Sequence, residues 1–134
     1  MCTIAKSVIA RQNDKALGAA DFLVIGQHYS ALYVHGVPVM TVNEINWLRR
    51  FIILVDAMYE CKVRLFLQTA ADRVEDIFRA DDNEVYAQDE VFAFQRTRSR
   101  LGEMSSRRYW ASPRIGRGSA AGEEPTLAPN AVGR

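Results

Sequence analysis

Five arginines stand close together in the segment FAFQRTRSRLGEMSSRRYW, which covers residues 92–110. Two of them, Arg96 and Arg100, are four residues apart, so a helix would place both on one face, from which both could reach one anion. Arginine is also the side chain that stabilises charge developing on a transferred phosphoryl group, in the same chain or from a neighbouring one. The segment is therefore a candidate anion-contacting helix.

The acidic residues just before this segment offer a simpler interpretation. Residues 72–90 contain eight acids and two arginines, whereas residues 96–117 contain seven arginines and one acid. Two adjacent blocks of opposite charge can neutralise each other when the chain folds back. The net charge of the whole chain is only +1, which disfavours a nucleic-acid partner. We prefer ion pairing with the acids of residues 72–90 as the role of Arg96 and Arg100.

The apolar periodicity predicts a long helix that positions two further arginines. Residues 41–44, TVNE, have the T-x-x-E spacing of a capping box, and apolar residues then recur at three- and four-residue steps as far as residue 59. Arg49 and Arg50 lie beside this apolar stripe. Asp56 and Glu60 are one turn apart and are expected to face solvent.

Shorter patterns predict the elements around this helix. Residues 16–29 suit a short helix, residues 31–35 and 63–67 suit strands, and a last helix is expected from about residue 92 to 108. Strand, capped helix and strand form a βαβ unit with a parallel pair. Because both faces of a parallel sheet need cover, two strands make a thin α/β domain. We therefore expect the sheet to be incomplete.

Composition divides the chain into three regions. Residues 1–14 are an unassigned lead segment, with the basic character of a weak mitochondrial presequence or of a short amphipathic lead-in. Residues 15–110 carry the predicted elements. Residues 111–134 contain three of the four prolines and are expected to be a disordered tail. No apolar run approaches the ~20 residues that span a bilayer, so no membrane span is predicted.

Motifs for catalysis and metal binding are missing from the sequence. The chain has no GxxxxGK[ST] loop to hold nucleotide phosphates and no GxSxG nucleophile motif. Its two cysteines and two histidines do not have the spacing of a metal site. We therefore predict no catalytic residue and no metal ligand in this chain.

Four ordered blocks resemble the C-terminal part of one ATPase family. They are LGAADF (17–22), GVPVMT (36–41), LRRFIILVDAMYECKVRLF (48–66) and FAFQRTRSRLGEMSSRRYW (92–110). They are similar to the family of yeast "ATPase family gene one", the animal lactation-elevated protein and bacterial ZapE. LQTAADRVEDIF departs from the family pattern, and residues 1–14 match no part of it. The resemblance covers residues 15–110. It makes the four arginines in the matching blocks the candidates for contact with a nucleotide or another subunit: Arg49, Arg50, Arg96 and Arg100.

The resemblance implies an AAA-type P-loop ATPase fold, of which this chain would be an incomplete, C-terminal fragment. It implies ATP and Mg²⁺ for the intact family, protein substrates, possible self-association, and a role in mitochondrial protein quality control or bacterial cell division. It favours a mitochondrial location, with the cytoplasm as the alternative. The chain alone, without Walker A and Walker B motifs, is expected to be inactive. The alternatives are a non-catalytic module that docks on a full-length relative and, less favoured, a basic helix that binds nucleic acid.

Overall fold

The computed structural model describes residues 2–5, 17–79 and 88–112. Strands and helices alternate along the first two of these ranges, and two helices follow in the third. The elements are β1 (Cys2–Ala5), α1 (Ala19–His28), β2 (Ala31–Val37), α2 (Ile45–Glu60), β3 (Arg64–Thr69), α3 (Gln88–Met104) and α4 (Arg107–Ala111). Two 3-10 turns, Val42–Glu44 and Val74–Asp76, precede α2 and follow β3. The fold is α/β.

The sheet has the order β1-β2-β3, and its strands are parallel. Strands β2 and β3 are the two that the sequence predicted, and each extends about two residues further than expected. Strand β1 is formed by residues 2–5, which the sequence left unassigned because four residues are too few to show a strand pattern. A parallel bridge between Met40 and Phe78 continues the pairing beyond the strands.

One face of the sheet packs against helices. Leu32 and Val34 of β2 are fully buried, and Leu65 and Leu67 of β3 lie beside them in register. The register shifts between Val34 and Val37, where Gly36 has a φ of 72°. A glycine tolerates this left-handed conformation because it lacks a Cβ atom.

Helix α2 begins at the predicted capping box. The backbone N–H and the hydroxyl of Thr41 both donate to the Glu44 carboxylate, at 2.8 and 2.7 Å. These hydrogen bonds hold the pKa of Glu44 below its usual value. The box closes a 3-10 turn that leads directly into α2, which confirms the predicted start of the helix.

Helix α2 is the centre of the fold and packs against both α1 and α3. The contact with α1 is very close at Gly26, where a Cβ atom would lie 2.8 Å from Sγ of Cys61. The core that surrounds α2 comprises Phe22, Leu32, Val34, Val37, Met40, Leu48, Phe51, Leu54, Val55, Ala57, Met58, Cys61, Val63, Ile77, Phe78, Phe94, Leu101, Met104 and Tyr109.

A tyrosine of α4 closes the turn between α2 and β3. Tyr109 of α4 is buried, and its hydroxyl lies 3.2 Å from the carbonyl oxygen of Met58 and 3.0 Å from that of Val63. The single hydroxyl proton can be donated to either carbonyl. Burial raises the pKa of this hydroxyl, so it stays protonated. Lys62, in a left-handed conformation with a φ of 55°, places its ammonium over the Tyr109 ring.

Helix α3 differs from its prediction at both ends. It begins at Gln88 rather than near residue 92, and it stops at Met104, after which Ser106 caps the separate helix α4 by accepting a hydrogen bond from the Tyr109 N–H. The buried face of α3 carries Glu90, Phe94, Thr97, Leu101 and Met104. Residues 80–87 of the acidic block and residues 113–134 of the predicted disordered tail lie outside the described ranges.

The region boundaries drawn from the sequence remain predictions. Within the described ranges, no helix is long and apolar enough to cross a membrane.

Candidate functional site

Polar contacts join α2 to α3 along the length of both helices. Arg49 contacts Glu90, Asp56 contacts Arg100, and Tyr59 contacts Glu103. Because the partner numbers rise together, the two helices run in the same direction. All four candidate arginines belong to this pair of helices.

Arg49 is bound to the first turn of α3. Its guanidinium donates to Oε1 of Glu90 through Nε at 3.0 Å and also through Nη2. Glu90 is almost fully buried, whereas the Arg49 side chain is mostly exposed. The hydrogen bonds from Arg49 hold the pKa of Glu90 below its usual range. Glu90 belongs to the acidic block of residues 72–90, and the residue that it pairs with is Arg49.

Arg100 is bound to α2. Its guanidinium forms an ion pair with Asp56 and stacks 5.1 Å from the centre of the Tyr59 ring, whose hydroxyl donates to Glu103 at 2.7 Å. The sequence had favoured the acids of residues 72–90 as the partners of Arg100 and had placed Asp56 in solvent. The structure corrects both expectations, because Asp56 faces α3 from a neighbouring turn of α2.

Arg96 lies between these two ion pairs and is exposed. Within the described residues it has no ion-pair partner. It lines an open cleft of about 640 Å³, which we call the arginine groove, formed by Phe92, Gln95, Arg96, Ser99 and Arg100. The predicted sharing of one face by Arg96 and Arg100 is therefore found in the structure. Of these two arginines, Arg96 is the one whose guanidinium pairs with no described carboxylate.

The other two candidate arginines do not reach the arginine groove. Arg49 lines a second cleft of about 320 Å³, together with Ile52, Ile53, Asp89, Glu90 and Ala93. Arg50 is half-buried and engaged in a contact of its own. The four candidate arginines therefore do not form one site. Arg96 and Arg100 line the arginine groove, and Arg49 lines the second cleft.

A third cleft lies at the carboxyl ends of β2 and β3, where ligands of open parallel sheets commonly bind. It has a volume of about 370 Å³ and is lined by His35, Gly36, Val37, Pro38, Gln68, Thr69 and Ala70. The Tyr33 hydroxyl donates to Gln68 at 3.2 Å and its ring stacks on His35 at 6.1 Å. Sequence reasoning missed these residues. The signal that could have found them is their place directly at the ends of the two predicted strands.

The candidate arginines are suited to binding anions. Within the described residues, no three His, Cys, Asp or Glu side chains gather to hold a metal ion. Lys62, the one lysine in the described ranges, is held over the Tyr59 and Tyr109 rings at 4.8 and 5.0 Å. Arginine side chains bind carboxylates and phosphates, and they cannot act as general bases at neutral pH.

The outer face of the sheet carries exposed aromatic side chains. Phe66 of β3 and Trp110 of α4 are about 40 % exposed and meet edge to face at 5.8 Å. The Arg64 guanidinium lies 5.2 Å from the centre of the Trp110 ring. This face therefore has an apolar surface bordered by a cation.

Comparison with known proteins places the chain among ATPases. Residues 2–113 match the AFG1-like ATPase family. The chain belongs to this family. It is 31 % identical over 134 aligned residues to Lactation elevated protein 1 homolog B of Danio rerio, a match that covers 82 % of the chain and 27 % of the relative. It is 34 % identical over 90 residues to the cell division protein ZapE of Escherichia coli K12, covering 66 % of the chain and 22 % of ZapE.

The resemblance seen in the sequence blocks is therefore confirmed. The family supports ATP hydrolysis and nucleotide binding as family-level properties. The chain spans about a quarter of the length of these curated relatives. No solved structure matches the chain.

Proposed function

We propose that this chain works as part of an AAA-type P-loop ATPase, in the region that follows the nucleotide-binding motifs. The observation that carries the proposal is the match of residues 2–113 to an ATPase family, in a chain of 134 residues without a GxxxxGK[ST] loop. The parallel α/β unit supports it, because P-loop ATPases are built on parallel sheets flanked by helices. The ATP-hydrolysing motifs would then be supplied by residues outside this chain.

The described residues do not fit Mg²⁺ and ATP by themselves. A P-loop enzyme holds the phosphates with backbone amides and a lysine, and holds Mg²⁺ with a hydroxyl and an acid. The described lysine, Lys62, lies over two tyrosine rings, and two of the described acids, Asp56 and Glu90, are paired with arginines. We therefore assign no step of ATP hydrolysis to this chain.

We assign different roles to the candidate arginines. Arg49 and Arg100 hold α3 against α2, because each is bound to a carboxylate on the other helix. Arg96 is the candidate for contact with another subunit or with its nucleotide, because it is exposed in the arginine groove. The intact ATPase would couple hydrolysis to the handling of protein substrates in mitochondria, with the cytoplasm as the alternative location.

Calorimetric titration of the whole chain with Mg-ATP tests this assignment. At ~0.15 M salt, where exposed charges are screened over about 8 Å, we expect no saturable site tighter than ~1 mM. Micromolar binding that is lost in an Arg96→Ala, Arg100→Ala double variant would contradict the proposal, since the chain would then bind nucleotide on its own. Arg98→Ala is the matched control, because Arg98 is an exposed arginine of the same helix.

A second candidate function is a non-catalytic module that docks on a full-length relative. The exposed aromatic face formed by Phe66 and Trp110 favours it, because parallel sheets are normally covered on both faces. The tagged chain should then co-purify with the zebrafish relative when both are expressed together. The relative should co-purify with the wild-type chain and not with a Phe66→Ser variant. Equal recovery of the relative with the two chains would exclude docking through this face.

A further inference from the structure

We propose that Ser99 is a phosphorylation site whose phosphate is held in the arginine groove by Arg96. The modifying enzyme would be a serine kinase that recognises arginine near its target, with ATP as the phosphoryl donor. The inference goes beyond the proposed function, since it concerns control of this surface by another enzyme and does not depend on a nucleotide site in the chain.

The first observation concerns the hydroxyl of Ser99, which is exposed on α3 and lines the arginine groove. The hydroxyl of Thr97, on the same helix, donates to the carbonyl oxygen of Ala93 at 3.1 Å. Ser105, just after the helix, donates in the same way to Gly102 at 2.7 Å. Among the described residues, the Ser99 hydroxyl has no such partner. Its oxygen is therefore available as a phosphoryl acceptor.

The second observation is the set of donors around this hydroxyl. Arg96 stands three residues before Ser99, and Arg98 and Arg100 are its immediate neighbours in the sequence. Because side chains three and four residues apart are neighbours on a helix, Arg96 and Gln95 lie on the same side of α3 as Ser99. Both line the arginine groove, and none of the five described residues that line it is acidic. The groove thus offers a guanidinium and an amide N–H to an anion on Ser99.

A phosphate on Ser99 would reverse the charge of the groove. Arg100 is already paired with Asp56, so Arg96 supplies the groove's one positive charge that no described carboxylate neutralises. Phosphoserine carries about −1.5 to −2 charges at pH 7, and a guanidinium can bind its oxygens through two parallel hydrogen bonds. The modification would therefore occupy the exposed cation that we assign to contact with another subunit or with its nucleotide.

The transfer follows the ordinary chemistry of serine kinases. The Ser99 oxygen forms a bond to the γ-phosphorus of the kinase's ATP, the bond from that phosphorus to the leaving oxygen breaks, and ADP departs. The hydroxyl proton passes to the catalytic aspartate of the kinase. The arginines around Ser99 complement a kinase with an acidic substrate groove. Such a kinase binds an extended segment, so α3 has to open locally, and ion pairs with partly exposed side chains resist this opening only weakly.

Phosphorylation of the full 134-residue chain in vitro tests the acceptor. A serine kinase that requires arginine three residues before its target should place phosphate on Ser99, as mapped by mass spectrometry. Ser105 is the internal control, because it is exposed and has Gly102 three residues before it. Arg96→Ala should slow the reaction at least ~10-fold, and Arg108→Ala less than ~2-fold. A chain in which Ser99 stays unmodified, or in which Ser105 is modified equally fast, would overturn the proposal.

Phosphorus NMR tests the groove independently of any kinase, on chains with phosphoserine installed genetically at residue 99. Because the Arg96 guanidinium favours the dianion, it should lower the second pKa of the phosphoserine by ~0.5 from its usual value of about 6. Arg96→Ala should restore the usual value, whereas Arg98→Ala should change the pKa much less, since Arg98 does not line the groove. Circular dichroism checks that each chain is folded.

The same phosphoserine pKa in the wild type and in Arg96→Ala would overturn the assignment of the groove as the phosphate's site. Neither negative result bears on the ATPase assignment, which rests on the family match.

Discussion

The two sides of helix α2 are built in different ways. On one side, Gly26 of α1 approaches Cys61 so closely that a single added carbon would stand 2.8 Å from its sulfur. On the other side, long side chains cross to α3 in ion pairs and in the contact of the Arg100 guanidinium with the Tyr59 ring. The first contact depends on how closely the α1 backbone at Gly26 fits against the Cys61 side chain, and the second depends on separate side-chain interactions. A shape-dependent contact should tolerate substitution poorly, whereas the polar contacts should be lost one at a time at small cost.

The largest loss of stability is expected from a substitution in the buried face of α2. Phe51 is fully buried in α2, and Phe51→Asp would place an unpaired charge in the core. Such a substitution costs more than ~4 kcal/mol, a large part of the stability of a small domain. Thermal unfolding followed by circular dichroism should show no cooperative transition. A variant that melts like the wild type would mean that the buried side of α2 is assigned wrongly.

The second-largest loss of stability is expected at the contact between Gly26 of α1 and Cys61. Gly26→Ala should destabilise the fold by ~1–3 kcal/mol in urea unfolding, because the new methyl group overlaps Cys61. Gly102→Ala is the matched control, since a Cβ at Gly102 meets nothing within 4 Å, and it should stabilise α3 by up to ~1 kcal/mol. Cys61→Ala should partly restore the Gly26→Ala variant. Equal effects of the two glycine substitutions would remove the contrast between the two sides.

The contribution of the contact between α2 and α3 to stability should depend on pH through Glu90. Arg49 lowers the pKa of Glu90 from its usual value of 4.5, so folding gains stability above that value and loses it as the pH falls through the lower, folded pKa. Melting temperatures of the wild type should therefore fall more steeply between about pH 5 and pH 2 than those of Glu90→Gln. Parallel pH profiles for the two proteins would show that the ion pair with Arg49 contributes nothing.

The smallest loss of stability is expected at the partly exposed ion pair of Asp56 and Arg100. Asp56→Ala removes the partner of Arg100, but both side chains are partly exposed, so the loss should be no more than ~1 kcal/mol. A double-mutant cycle with Arg100→Ala measures the coupling in urea unfolding. A coupling much larger than this bound would place the pair among the buried ion pairs and would weaken the contrast with the α1 side.

The sequence predicted those parts of the fold that local patterns determine. The T-x-x-E box and the apolar stripe placed α2 within one residue, because capping and periodicity act over a few neighbouring positions. The strand β1 was missed because its pairing with β2 lies about thirty residues away and its four residues show no period. The early start of α3 was missed because its first turn, with Asp89 and Glu90, has the composition of a loop.

The candidate site was predicted less completely than the fold. The i, i+4 spacing of Arg96 and Arg100 correctly predicted a shared face, since it depends on the helix alone. The partners of Arg49 and Arg100 depend on how α3 lies against α2, and no local pattern carries that information. The cleft with His35 and Thr69 depends in the same way on which strand ends meet in the sheet.

Tyr109 has a consequence for how the protein is made. The carbonyl groups that its hydroxyl approaches precede it by 51 and 46 residues. At synthesis rates of about 5–20 residues per second, the ribosome reaches Tyr109 roughly 2–10 seconds after it has added the residues of the α2–β3 turn. Throughout that interval the two carbonyl groups lack this hydroxyl. A chain released before residue 109 would contain β1, β2 and β3. It would still lack the hydroxyl that bonds the turn between α2 and β3.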